Sequence, residues 1–335
     1  MKEQMQAIVI NEFGGPNVFQ VMQMPRPEVR AGHVLIRVEA SSVNPHDYNV
    51  RKGAAPPTIA PAFPAILHGD VAGIIEEVGE GVTTFHPGDE VYACAGGVKG
   101  TGGALADYML ADADLVALKP KSLSMTQAAA LPLAALTAWE GLVNRAHMHA
   151  GQAVLVHGAT GGVGHLAIQL AKATGARVFA TASTKEKAQI ARALGADVAI
   201  EYRRQPVAEY VAEYTGGKGF DIVFDSVGGA NFAQSVEAAA IQGTVISIVP
   251  NATLDLGSLL FQGLSLHTVF MYIPLLHGIG RAAHGRILTE LAKLVDEGKV
   301  RPLIDEHIFA LRDVAAAHQF LESGCALGKV VLVNS

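Results

Sequence analysis

The sequence predicts an α/β protein in two parts, a small β-barrel or sandwich followed by a doubly wound parallel sheet. The first third of the chain is a series of short apolar stretches separated by Gly- and Pro-rich turns. From about Thr126, apolar strands alternate with helical stretches. A glycine-rich loop joins the first of these later strands to its helix. With 335 residues and 50% hydrophobic content, the chain is long enough for two cores.

In the first part, residues 6–11, 33–40, 72–78 and 90–95 read as strands. The turns between them hold Gly14-Gly15-Pro16, Pro25-Arg26-Pro27, Gly79-Glu80-Gly81 and Pro87-Gly88-Asp89. Pro56, Pro57, Pro61 and Pro64 mark an extended surface loop. Thr126 is the expected N-cap of a helix over 127–131, which Pro132 interrupts and which then runs to about Asn144. Strands are expected at 153–157, 177–182, 198–201, 222–225 and 244–249, with helices at 163–174, 185–194, 207–214 and 232–240. Apolar strands alternating with helices make a parallel sheet covered on both faces. Beyond it, 283–297 is an amphipathic helix with Ile287, Leu288, Leu291, Leu294 and Val295 on one stripe. A second helix at 313–322 and a strand at 330–333 follow, and this tail is expected to pack back on the first part.

Composition narrows the function. Charged residues make up 17%, the net charge is −6, and no long basic run occurs. Nucleic acid and anionic membrane surfaces therefore have no electrostatic footing as partners. No stretch reaches the roughly 20 apolar residues of a membrane helix; residues 264–279 come nearest, interrupted by Ser265, His267, Pro274 and His277. Residues 1–10 lack the length and cleavage pattern of a secretory signal. Two cysteines, Cys94 and Cys325, are too few for a disulfide framework or a Cys-rich zinc lobe and fit a reducing cytoplasm. A soluble cytoplasmic protein acting on a small molecule is the expectation.

The loop Gly158-Ala159-Thr160-Gly161-Gly162-Val163-Gly164 runs from an apolar strand directly into a helix. Gly158 permits the tight exit from the strand. Gly161 and Gly162 leave bare backbone for a pyrophosphate, and Gly164 lets the helix pack on the sheet. The helix N-terminus adds free N–H groups and partial positive charge. This reads as a Rossmann dinucleotide site. The second strand ends at Ala182 without the acid that holds the ribose hydroxyls of NAD. Ser183 and Lys187 stand there instead, suited to a 2′-phosphate, with Tyr202 after the third strand as a further donor. NADP(H) is the cofactor this implies.

Several motifs, in this order and spacing, mark a family. They are Asn44-Pro45-His46-Asp47 with Arg51 and Gly53, His68-Gly69-Asp70-Val71-Ala72-Gly73, and Phe85-His86-Pro87-Gly88-Asp89-Glu90-Val91. Gly103-Ala104-Leu105-Ala106-Asp107-Tyr108, Leu131-Pro132 with Thr137-Ala138-Trp139, Asp221 through Gly229, and Gly328-Lys329-Val330-Val331 complete the set. Over nearly its whole length the chain resembles the medium-chain dehydrogenase/reductase superfamily, in its zinc-independent quinone oxidoreductase branch. The resemblance implies a GroES-like β-barrel catalytic domain over 1–125, completed by about 270–335, and a Rossmann NADP(H)-binding domain over 126–269. It implies a cleft between them and a homodimer formed largely through the Rossmann sheets. By position, Asn44, Thr137, Gly161, Gly162, Val163, Ser183, Lys187, Tyr202 and Lys329 match cofactor contacts. Ser226, Val227, Ser247, Ile248 and Val249 would line the nicotinamide side.

Zinc members of the superfamily use a Cys and a His-Glu pair as ligands. Asn44 takes the Cys position here and Gly69-Asp70 the pair, with His68 displaced by one residue. An amide is a poor zinc ligand, so no metal is expected, although His46, His68 and Asp70 leave an improvised site open. His68 then reads as a loop residue behind the site.

Hydride transfer to a quinone or an α,β-unsaturated carbonyl builds negative charge on oxygen, which hydrogen-bond donors must stabilise. Tyr48 is the candidate proton donor, and Asn44 the residue that orients nicotinamide or substrate. Quinone reductases of this family carry tyrosines one residue later and near Gly53; those positions are Asn49 and Ala55 here. Asp47 and Arg51, one helical turn apart, are expected to pair. Cys94 reads as a small core residue, and residues 270–274 as a lid, a dimer contact or core. The alternatives are a zinc-containing alcohol dehydrogenase and a non-catalytic NADPH-binding protein of crystallin-like or regulatory kind.

Overall fold

Where apolar residues recur at every second position the chain is extended, and where they recur every three or four it is helical. The computed structural model describes residues 3–249, 251–253 and 256–334. Its elements begin β1 (Gln4–Ile10), β2 (Phe19–Pro25), β3 (His33–Val43), α1 (Pro45–Arg51), β4 (Ala65–Ile66), β5 (Asp70–Val78), β6 (Glu90–Cys94), β7 (Tyr108–Asp112), β8 (Val116–Leu118) and α2 (Met125–Ala129). Next come α3 (Pro132–Trp139), β9 (Ala153–His157), α4 (Gly164–Ala173), β10 (Arg177–Ala182), α5 (Lys185–Ala193), β11 (Val198–Glu201), α6 (Val207–Thr215), β12 (Phe220–Asp225), α7 (Asn231–Ala238), β13 (Ala239–Ser247), α8 (Leu256–Gln262) and β14 (Ser265–Thr268). The chain continues through α9 (Ile273–His277), α10 (Arg281–Asp296), β15 (Ile304–Ala310), α11 (Val314–Glu322) and β16 (Lys329–Val333). Two compact units result: Met1–Leu133 with Tyr272–Glu297 and Pro302–Ser335, and Ala134–Met271 with Gly298–Arg301.

The first unit is organised by β3, the longest strand. One edge of β3 pairs antiparallel with β5. The other edge is shared, β7 pairing with its first half and β16 with its second. The sheet extends through β6 and β8 on one side and β15 on the other. A three-stranded sheet, β2-β1-β4, lies beside it. Helix α11 closes one core, where Val314 and Ala317 pack with Ile10, Val43, Leu67, Leu105, Val330 and Leu332. The helix before the second unit is capped by Ser124 rather than Thr126. Ser124 Oγ accepts from Gln127 N (3.3 Å) and Gln127 Oε1 from Ser124 N (3.0 Å), so the capping box satisfies two donors at once.

The second unit is a six-stranded parallel sheet in the order β11-β10-β9-β12-β13-β14. This is the doubly wound order, with the first strand at the point where the winding reverses. Its central strands are mostly apolar because helices cover both faces: Leu155, Phe179, Val223 and Val245 share one core. The strands at 153–157 and 177–182 have the predicted bounds. The helix expected at 232–240 stops at Ala238, where β13 begins. Among the described residues no helix is long and apolar enough to cross a membrane.

Burial makes stability pH-dependent. It pushes His46, His157 and His284 down to about 4, His68 to about 3, and His318 lower still. As pH falls below 6.5, the unfolded chain takes up protons that the fold refuses, so stability is lost on acidification at up to ~1.4 kcal/mol per pH unit for each group. Asp47, pushed up to about 7 by burial, works in the opposite sense between its two values. Five groups against one decide the sign. The urea midpoint is expected to fall steadily from pH 6.5 to pH 5; a flat or rising midpoint would contradict the buried neutral histidines.

Candidate active site

In the first unit, the turn from β3 into α1 and the start of β5 bring a polar cluster together inside an apolar barrel. Asn44, Asp70 and Lys329 are each at most 2% exposed. Asp70 uses both carboxylate oxygens. Oδ1 accepts from Leu133 N (2.7 Å), and Oδ2 accepts from Ser42 Oγ (2.7 Å) and Asn44 Nδ2 (2.8 Å). The Lys329 ammonium lies 3.3 Å from the same Oδ2 and also donates to Asn44 Oδ1. Asn44 N donates to Asp47 Oδ2 (2.7 Å), which starts α1. Desolvation raises the Asp47 carboxyl to about 7 against the pull of that hydrogen bond, and the neighbouring Asp70 charge adds to the rise.

Behind this cluster, Ser41 Oγ donates to the Asp70 carbonyl (2.7 Å) and therefore accepts from His68 Nδ1 (3.2 Å). Burial keeps His68 neutral. With its proton on Nδ1, its Nε2 accepts from His318 Nε2 (2.8 Å). His68 holds a positive φ of 71°, a conformation that costs a non-glycine residue about 1–3 kcal/mol. It thus anchors β5 to α11, in keeping with a place behind the site. On the other side, Tyr272 is buried with its hydroxyl 3.7 Å from Cys94 Sγ and its ring 4.3 Å from that of His46. Burial pushes the Cys94 thiol and the Tyr272 phenol up. Cys94 is a core residue, as its strand position implies.

One expectation is corrected. Asp47 and Arg51 do not pair. Asp47 caps its helix, while the fully buried Arg51 reaches Glu322 (2.5 Å) and the Gly14 carbonyl (3.2 Å). Tertiary partners outcompete a pair worth only a few tenths of a kcal/mol. Helix α5 is capped by Thr184, whose Oγ1 accepts from Lys187 N (3.3 Å). Tyr48 is half-buried on α1 with the Lys52 ammonium 5.1 Å from its ring centroid, and burial pushes its phenol up.

In the second unit the candidates gather along one edge of the sheet, at the carboxyl ends of the strands. Gly161, Gly162 and Val163 follow β9; Ser183 and Lys187 follow β10; Tyr202 follows β11. Val227 follows β12, and Ser247, Ile248 and Val249 end β13 or follow it. Thr137 is buried on α3. Gly158 has φ +80°, and a Cβ at Gly164 would lie 2.1 Å from the Gly158 carbonyl oxygen, so only glycine allows the helix to start this close to the strand. Gly161 is exposed, and a Cβ there would meet only Gly158 O at 3.3 Å, leaving open backbone beside the first-turn N–H groups of α4. Asp225 fixes the next loop by accepting from Val227 N (2.8 Å) and Gly228 N (2.9 Å). Among the described residues, Ser247 Oγ and His157 Nε2 are buried without a hydrogen-bond partner on that same row of strand ends. This is a cradle for a diphosphate-bridged dinucleotide, and the residues fit one.

The residues of the first unit do not fit a zinc ion. Both Asp70 oxygens are committed, and both His68 nitrogens turn to Ser41 and His318. An ammonium lies between Asn44 and Asp70. Among the described residues no group of three or more His, Cys, Asp or Glu side chains is arranged to hold a metal. Sequence reasoning missed Tyr272, Ser42 and His318. The segment 270–274 carried the first as an apolar loop of open role; the other two have no local signal.

Residues 30–121 match the alcohol dehydrogenase GroES-like domain family, and residues 194–332 match the zinc-binding dehydrogenase family. The chain is 36% identical, over 98% of its length and 80% of the relative's, to the chloroplastic NADPH-dependent alkenal/one oxidoreductase of Arabidopsis thaliana. It is 31% identical to the quinone oxidoreductase of Sus scrofa, over 98% of both chains. The crystal structure of an alcohol dehydrogenase superfamily protein from Novosphingobium aromaticivorans superposes with a TM-score of 0.94 at 38% identity, over 99% of this chain and 100% of that one. The chain belongs to the medium-chain dehydrogenase/reductase superfamily, in its quinone and alkenal oxidoreductase branch.

Proposed function

We propose that the protein is an NADPH-dependent oxidoreductase that transfers a hydride to a quinone or an α,β-unsaturated carbonyl without a metal. The observation that carries this reading is the bare phosphate loop between β9 and α4, where Gly158 and Gly164 approach too closely for any side chain. The relatives named above, an NADPH-dependent alkenal/one oxidoreductase and a quinone oxidoreductase, support it. When bound, the cofactor supplies the hydride. Residues 126–269 hold it: Gly161, Gly162 and Val163 bind the diphosphate, and Ser183, Lys187 and Tyr202 take the 2′-phosphate. Thr137, Val227, Ser247, Ile248 and Val249 position the nicotinamide. Residues 1–125, completed by about 270–335, form the catalytic domain, where Asn44 and Lys329 border the cofactor and Asn44 orients the reactants. Tyr48 donates the proton that follows the hydride.

The assay is NADPH oxidation with 1,4-benzoquinone, trans-2-hexenal, hexanal and, in reverse, ethanol, together with metal analysis of the purified protein. Turnover with the quinone or the enal and no stoichiometric zinc is expected. Saturable NADPH binding with no turnover would favour a non-catalytic protein, and one zinc per chain would overturn the metal-free reading. Cofactor choice has its own test. Ser183→Asp with Lys187→Ala removes two charge-assisted contacts of ~1.5–3 kcal/mol each, so NADPH affinity is expected to fall at least about 100-fold and NADH affinity by less than tenfold. Equal losses would refute the 2′-phosphate assignment.

The same reading includes a cytoplasmic homodimer. Two free cysteines fit a reducing compartment. Strand β14 is the free edge of the parallel sheet, and Ile241, Leu260 and Phe261 lie exposed on β13 and α8. Phe261→Lys is expected to shift sedimentation from dimer toward monomer; an unchanged dimer would move the interface elsewhere.

A further inference from the structure

The carboxamide of Asn44 is symmetric in shape, and a half-turn about its last bond exchanges an acceptor for two donors. In this chain that exchange is opposed at both ends. Asn44 Oδ1 accepts from the Lys329 ammonium, and Asn44 Nδ2 donates to Asp70 Oδ2 (2.8 Å). The ammonium lies 3.3 Å from the same Asp70 oxygen, so amide, ammonium and carboxylate close a ring along one edge of the carboxamide. The flipped amide would set its NH2 against the ammonium and its oxygen against the carboxylate, in a site where all three residues are at most 2% exposed and water does not screen the clash. Asp70 is itself held by Ser42 Oγ and Leu133 N, and Lys329 lies at the start of β16, bonded to the middle of the sheet.

We propose that Lys329 and Asp70 are positioning residues that lock the orientation of the Asn44 carboxamide. The ring occupies one lone pair and one N–H of the amide. The second N–H, on the far edge from the ring, is the donor that remains for the oxygen that gains charge during the reaction. The charge pair thus decides that Asn44 offers a donor there rather than an acceptor. Neither charged group is itself the donor to that oxygen; both act on it through the amide. This inference rests on the reading of Asn44 as an active-site residue.

The test is a mutant cycle on NADPH-dependent reduction of trans-2-hexenal. Asp70→Asn with Lys329→Met removes both charges together, so neither is left buried alone. In the wild-type background, Asn44→Ala is expected to lower kcat by about 100-fold, the effect of losing one such donor. The charge-free variant, with Asn44 intact, is expected to lower kcat at least about tenfold while KM for trans-2-hexenal stays within about threefold. Adding Asn44→Ala to it is expected to cost far less than in the wild type, because residues that act as one unit are not additive. If Asn44→Ala lowers kcat but the charge-free variant keeps it, the lock is wrong and the reading of Asn44 stands. If Asn44→Ala changes nothing, that reading fails and the lock with it. Should the charge-free variant not fold, the wild-type protein still answers. The Asn44 side-chain amide protons, identified by their disappearance in Asn44→Ala, are expected to exchange with solvent at least about 100-fold more slowly than a free amide. Fast exchange would overturn the lock.

Discussion

Gly164→Ala is expected to weaken NADPH binding by about 100-fold or more while leaving most of the fold intact. The added methyl would sit 2.1 Å from the Gly158 carbonyl oxygen and 2.9 Å from its carbon, both backbone atoms that no side-chain rotation can clear. The loop must therefore move away from the helix it precedes. Two or more N–H groups then leave the position of the diphosphate, at ~1.5–3 kcal/mol for each charged contact, which sets the 100-fold scale. Gly161→Ala is the informative partner. Within the chain its methyl meets only one atom, at 3.3 Å, so its melting temperature should match the wild type. A loss of NADPH affinity in that variant reports on crowding of the ligand alone. Fluorescence titration with NADPH and circular dichroism measure both. Wild-type affinity in Gly164→Ala would remove the phosphate-site assignment.

Asp70→Ala is expected to cost about 3–5 kcal/mol of stability, the range for stripping one partner from a buried ion pair. It strands the Lys329 ammonium with only an amide oxygen and deprives Ser42, Asn44 and the Leu133 backbone of their acceptor. Most of the loss comes from the charge left behind. Adding Lys329→Met should therefore restore part of it, although the double variant has fewer interactions than the single one. Urea unfolding at pH 7 gives the comparison. A double variant less stable than Asp70→Ala would mean that the pair is not what holds this cluster together.

The second unit was legible in the sequence because strands buried on both faces read as mostly apolar runs, as at residues 153–157 and 177–182. Strands β2, β4, β7, β8, β14 and β15 were not anticipated. Each pairs with a single neighbouring strand, and pairing on one side leaves little pattern to detect. The phosphate loop was readable because Gly158 and Gly164 answer local backbone demands, a positive φ at the first and a close approach at the second. The polar cluster of the first unit was not. Asn44 and Lys329 meet across 285 positions, and His68 and His318 across 250. Helical spacing even pointed the wrong way for Arg51, whose partner Glu322 lies 271 residues downstream. Periodicity reports which face of an element is buried, and it does not report which distant side chain is waiting there.

Strand β16 pairs with β3 and brings Lys329 to Asn44 only after the whole of Ala134–Met271 has been traversed. On the ribosome, the parallel sheet is therefore fully extruded before the barrel has all its strands. The intervening unit is free to fold first, and the barrel must wait with an open edge along β3. A chaperone or a protease meeting the nascent chain would find that edge, and binding competence for the nucleotide should precede catalytic competence during synthesis.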